Sequence, residues 1–130
     1  MTSSSPTGFY PQRVGIDAYG NGGFRFADMS HKGSLLCLPS GMYAWEIVAA
    51  QELTLESLQP ILDHADEVEV LLIGLGEKVA AIDPAIRTAL RARGIIVEAT
   101  QTGGAVRTYN VLLAEDRQVA GAFIAVENAR

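Results

Sequence analysis

Residues 102–126 read TGGAVRTYNVLLAEDRQVAGAFIAV, and the two halves of this stretch decide the fold. In the first half Ala105, Val106, Tyr109, Leu112 and Leu113 recur at helical spacing and form one apolar face. Thr102 is the expected N-cap, its hydroxyl accepting from an amide two or three residues on. Gly103 and Gly104 fall in the first turn, where glycine weakens a helix and where bare amides can receive an anion. Close packing of that helix end, or a frayed start, is the plainer account of the two glycines. Arg107 and Asn110 lie on a neighbouring face, and neither Thr108 nor Asn110 is a good helix former. Such a local break inside a clear helix is where a site is sought. After the polar Glu115-Asp116-Arg117, residues 119–126 run almost without a polar side chain. A strand apolar on both faces belongs in the middle of a covered sheet. Its Ala120, Gly121 and Ala122 leave room for something bulky to lie close.

Upstream, the same alternation of strand and helix repeats. Residues 68–73 form a nearly continuous apolar strand ended by Gly74-Leu75-Gly76. Asp83-Pro84 is a helix start, an N-cap followed by proline at the first helical position. Ile86, Ala89 and Leu90 give that helix its buried stripe, Gly94 stops it, and residues 95–97 are the next strand. Before these, Leu58, Ile61, Leu62 and Ala65 mark a short helix. Pro60 is tolerated only in a first turn, so this helix starts near Ser57. Strands and helices at this spacing predict crossover units and a largely parallel sheet.

The N-terminal third changes period. Val14, Ile16 and Ala18 alternate with polar positions, Tyr19-Gly20-Asn21-Gly22-Gly23 is a turn signal, and residues 24–27 return as the second arm of a hairpin. Residues 28–33, with His31 and Lys32, read as a loop. Residues 35–38 read as a strand stopped by Pro39-Ser40-Gly41, and Tyr43, Trp45 and Ile47 alternate along another. Residues 1–13 open with Ser, Thr and Pro, lack the apolar core of a secretory signal, and read as a flexible tail. Residues 14–130 then form a single α/β domain.

Composition narrows the function. A net charge of −5 argues against a broad nucleic-acid-binding face. No apolar run approaches the roughly 20 residues of a spanning helix. Cys37 is the single cysteine, so neither an internal disulfide nor a thiolate zinc cluster can form. Set in Leu35-Leu36-Cys37-Leu38, it reads as a buried hydrophobe, since reactive thiols occupy exposed electropositive places. His31 and His64 have no metal-ligand spacing, and no serine sits in a nucleophile elbow. Gly74-Leu75-Gly76, with Glu98 at the end of the next strand, invites comparison with a dinucleotide-binding turn. The third glycine position is Val79, however, and the following helix starts only at Asp83-Pro84. The stretch therefore reads as a turn that needs glycine.

Arg107 is the residue of choice for two-pronged binding of a carboxylate or phosphate. With Asn110, Gly74, Gly76, Thr102, Gly103 and Gly104 it makes the candidate anion or ligand set. Tyr43 and Trp45, together with Arg87 and Arg91 one helical turn apart, make the candidate partner-binding set. The plainer account makes the aromatic pair core and the arginines a solvated face. No catalytic or metal residue is proposed, and no cofactor is expected.

Several segments together resemble a known family. They are Phe24-Arg25-Phe26, Leu38-Pro39 followed by Trp45, Val70-Leu71-Leu72-Ile73-Gly74-Leu75-Gly76, Leu90 with Gly94-Ile95, and above all Arg107-Thr108-Tyr109-Asn110-Val111-Leu112. They are similar to a family of small uncharacterised bacterial and archaeal domains that includes the mitochondrial respiratory complex I assembly factor 3. The resemblance runs over residues 14–126. It implies a three-layer α/β domain with a central mixed sheet, helices on one side, β structure with a helix on the other, and a last strand antiparallel to the rest. It brings no catalytic residues. It implies a non-enzymatic interaction protein that binds partly assembled respiratory-complex subunits or assembly proteins. The expected setting is the cytoplasm, at the periphery of a membrane complex, or the mitochondrion if the source is eukaryotic. A small-molecule or anion-binding domain, extending to an enzyme, is the alternative. Oligomeric state is left open.

Overall fold

The computed structural model describes residues 8–78 and 80–128. Val79 and most of the N-terminal tail lie outside these residues. Two apolar strands form the middle of the molecule, β7 (Val70–Gly74) and β9 (Val119–Phe123), each buried at every position. They pair in parallel, and β8 (Ile96–Thr100) joins β7 on its other side, also in parallel. Beyond β9 the sheet turns antiparallel, through β5 (Ser34–Leu38) and β6 (Gly41–Trp45) to β1 (Gly8–Tyr10), giving the order β1-β6-β5-β9-β7-β8. The sheet is therefore mixed, as expected, but the direction of its last strand is not the expected one. Of its two neighbours, β9 runs parallel to β7 and antiparallel to β5. "Largely parallel" also overstates the architecture, because the N-terminal strands fill half of this same sheet. Periodicity records which faces a strand buries and carries no direction, so neither point could be read from it.

A second sheet stacks β2 (Ala18–Gly20), β3 (Gly23–Phe26) and β4 (Met29–Lys32), each antiparallel to the next. The β2–β3 hairpin turns at Asn21-Gly22, both at positive φ (54° and 77°), as the Asn-Gly signal required. β4 corrects the loop expected over residues 28–33. A tight turn at Ala27 and Asp28, both at positive φ, reverses the chain at once and sends it back along β3. Gly8–Tyr10, read as part of the flexible tail, pairs with the edge of β6.

Helices complete three layers. On one face of the main sheet, α1 (Gln59–Leu62) and α2 (Pro84–Ala92) bury Ile61, Leu62, Ile86 and Leu90 against Leu71 and Ile73. Single 3-10 turns flank α1, so the expected helix near Ser57 is shorter than its apolar spacing implied. Asp83 caps α2, its Oδ1 accepting from the Ala85 amide at 2.9 Å. On the other face, α3 (Thr102–Ala114) and the three-stranded sheet close over Val70, Leu72 and Phe123. The Phe123 ring lies across Gly121, where any side chain would collide with it. Tyr109 meets Phe123 edge to face, with centroids 5.4 Å apart, a favourable geometry for two rings.

Candidate functional site

α2 and α3 follow neighbouring parallel strands and pack on opposite faces of the sheet. Open α/β sheets bind ligands where such connections part, outside the carboxyl ends of the strands. Here that opening is stitched by Thr102. Its hydroxyl donates to the Ile124 carbonyl at 2.7 Å and accepts the Gly76 amide at 3.0 Å, while its own amide donates to the Gly76 carbonyl at 2.9 Å. Thr102 is the first residue of α3 and fully buried; Gln101 holds the cap position and offers no side-chain cap bond. The expected N-cap role gives way to a tie among three chain segments.

Gly74 serves this stitch. A Cβ there would stand 2.9 Å from both Cα and Oγ1 of Thr102 and 3.2 Å from the Phe123 ring, so glycine is required for close approach. Gly76, at φ 102°, is required for the turn itself. α2 starts at Pro84, well beyond these glycines, so the helix that follows them does not offer its N-terminus to a pyrophosphate as a dinucleotide-binding turn would; the helix end beside them is that of α3.

Beside the stitch lies a cleft of about 140 Å3 lined by Gly76, Glu77, Gln101, Gly103, Gly104 and Arg107, among others. It brings together four of the seven residues expected to hold an anion. Arg107 leans toward the start of its own helix, its Nη2 3.9 Å from where a Cβ on Gly104 would stand. A carboxylate already shares the cleft. Oε2 of Glu77 accepts the amides of Glu127 and Asn128 at 2.9 and 3.2 Å. Asn110 does not join the cleft lining. Its side-chain amide grips the backbone of Ile16 from both sides, accepting the Ile16 amide at 2.8 Å and donating to the Ile16 carbonyl at 2.9 Å. Tyr109 donates to the Val14 carbonyl at 2.8 Å. Tyr109 and Asn110 thus anchor residues 14–16 to α3.

The expected partner-binding residues separate. Trp45 is core, 4% exposed, its indole donating to the Ser57 carbonyl at 2.9 Å. Tyr43 is half-buried on the same face, with its hydroxyl 2.6 Å from Ser40 Oγ. Arg87 donates to the Val97 carbonyl at 2.7 Å on edge strand β8, and Arg91 is exposed. Both histidines engage backbone carbonyls, His31 that of Ser34 and His64 that of Pro60, each at 2.9 Å. Among the described residues no group of His, Cys, Asp and Glu is placed to hold a metal. No helix there is long and apolar enough to cross a membrane. Cys37 is buried, and desolvation drives its thiol pKa far upward.

The sequence reading missed a larger concavity at this end. A groove of about 810 Å3 runs between Val48-Ala49-Ala50 and Ala80-Ala81, over Leu75 and Ile124. Val48 is 69% exposed. Its faint signal was a pair of alanine-rich loops, both outside the periodic segments.

These features define a three-layer α/β domain with an apolar groove and a small polar cleft side by side at the strand ends. The chain belongs to the family described as "Protein of unknown function (DUF498/DUF598)", whose model matches residues 16–124. It is 32% identical over 115 residues to the Mus musculus NADH dehydrogenase (ubiquinone) 1 alpha subcomplex assembly factor 3, a match covering 88% of the chain and 62% of that protein. An uncharacterised protein of Rhodobacter capsulatus is 33% identical over 114 residues, covering 88% of the chain and 86% of that protein. A crystal structure of a Bartonella henselae protein described as an outer membrane protein superposes with TM-score 0.87 at 49% identity, covering 92% of the chain and all of that chain (100%). The solution structure of Rpa2829 from Rhodopseudomonas palustris gives TM-score 0.81 at 41% identity, with 97% and 93% covered. The chain thus spans only about three fifths of the mouse assembly factor, 62% of its length.

Proposed function

We propose that this chain is a non-enzymatic interaction protein that binds partly assembled subunits of a respiratory membrane complex, and that the apolar groove is where they dock. The observation that carries this reading is the groove itself. Its walls of Val48, Ala49, Ala50, Ala80 and Ala81 place short apolar side chains on both sides of an open trough. Val48 on one wall is 69% exposed, and Leu75 and Ile124 form the apolar floor. Apolar surface left uncovered in this way marks a site of association. The named function of the assembly-factor relatives supplies the kind of partner. Val48→Asp and Ala81→Glu place charges in the groove at exposed positions outside the buried core. Affinity capture from cells of the source organism tests the reading. The unaltered chain should retain respiratory-complex subunits and both variants should lose them. Equal recovery by all three, or no respiratory subunit with any, counts against it.

A second reading is favoured by the neighbouring cleft, where Arg107 lies beside Gly76, Gly103 and Gly104. The two α3 amides and a planar guanidinium form a receptor for a carboxylate or phosphate. Lysine keeps the charge and loses the two-pronged geometry. Arg107→Lys should therefore weaken citrate or phosphate binding, measured by calorimetry, about tenfold with an unchanged melt. A lowered melting temperature with binding intact makes Arg107 scaffolding.

A further inference from the structure

The outer face of the three-stranded sheet holds two cations on a bare floor. Register fixes their places. Gly20, Gly23 and Lys32 form one cross-strand row; Ala18, Arg25 and Ser30 form the next. Phe24 and Phe26 point inward and are buried, while Arg25, Ser30 and Lys32 are exposed. Because the first row carries two glycines, a shallow trough of about 490 Å3 opens between the long side chains. Arg25 Nη1 donates to Ser30 Oγ at 2.9 Å, which orients the guanidinium across the trough.

Two like charges on adjacent diagonal positions repel. No carboxylate lines the trough; Asp17 and Asp28 stand outside the lining. Among the described residues, neither Arg25 nor Lys32 has a carboxylate within ion-pair distance. The chain nevertheless has a net charge of −5, and no Lys or Arg occurs between Lys32 and Lys78. An acidic segment approaching the molecule is repelled by that region and attracted to this face.

We propose that this trough binds an extended acidic segment of a protein partner, one with carboxylates at alternate residues. The spacing selects that occupant. Diagonal neighbours on one sheet face stand about 7–8 Å apart. Alternate residues of an extended strand share a face and stand about 6.6–6.8 Å apart. One carboxylate then meets the Arg25 fork while the next meets the Lys32 ammonium. The glycine floor at Gly20 and Gly23 leaves room for the segment to settle between them. This face lies on the opposite layer from α2, and the trough and the apolar groove share no lining residue.

The test uses fluorescence anisotropy at low salt with two labelled hexapeptides of one composition. One alternates Glu and Thr; the other has three Glu followed by three Thr. The alternating peptide should bind more tightly. Arg25→Gln and Lys32→Gln should each weaken it about tenfold, the loss expected for one charge-assisted contact. The double variant should show no binding at an unchanged melting temperature, and Arg91→Gln should bind as the unaltered chain does. Equal binding of the two peptides, or a double variant that binds within about twofold of the parent, overturns the proposal. Displacement of the peptide by inorganic pyrophosphate at a lower concentration than by unlabelled peptide also overturns it, and makes the trough a small-anion site.

Discussion

Asn110 was readable in kind and not in role, whereas Cys37 was readable in both. The Arg-Thr-Tyr-Asn run was visible as a break in helix propensity, but Asn110's partner, Ile16, is 94 residues away in sequence. Only the fold brings them together. Cys37 was readable fully, because a thiol between leucines on a covered strand has no route to solvent. Its burial carries a pH signature. Desolvation raises its folded pKa well above the ordinary 9.0, and Tyr109 is raised likewise above 10.0. The folded state therefore holds both protons in a range where the unfolded state gives them up. Stability from this source is complete below about pH 9 and falls as pH rises past it, by up to about 1.4 kcal/mol per unit for each group. Urea melts at pH 8 to 10.5 should show this decline. Cys37→Ala should reduce its slope above pH 9. An identical slope in the variant would show that the thiol titrates no differently in the folded chain.

Among the elements, those with both faces buried or with sharp caps were legible. β9 announced its central place by its composition, and α2 its start by Asp83-Pro84. β4 was not legible, since Met29, Ser30, His31 and Lys32 bury only alternate residues and only partly. β8 adds a case where a charge had a structural use. It is the edge of the main sheet, and Arg87 covers its Val97 carbonyl. Exposed strand edges invite pairing with another chain, and charged side chains commonly blunt them. Arg87→Ala should cost about 1 kcal/mol and increase concentration-dependent self-association relative to the unaltered chain in sedimentation velocity. Unchanged sedimentation at all concentrations would show that the guanidinium does not guard the edge.

For the molecule as a whole, fold class and family were readable because they rest on segments with strong local signals. The groove was not, because it is assembled from loops near residues 48 and 80 whose alanines carry no periodicity. Its two walls follow β6 and β7, strands that only the pairing of both through β5 and β9 brings into one sheet. The central claim is that this groove receives respiratory-complex subunits. The most direct measurement places a photo-crosslinking amino acid at Val48 and, separately, at exposed Arg91, and irradiates both chains in cells of the source organism. Adducts with respiratory-complex subunits from position 48 and none from position 91 are the expected result. Adducts from position 91 alone, or none with such subunits from position 48, would contradict it.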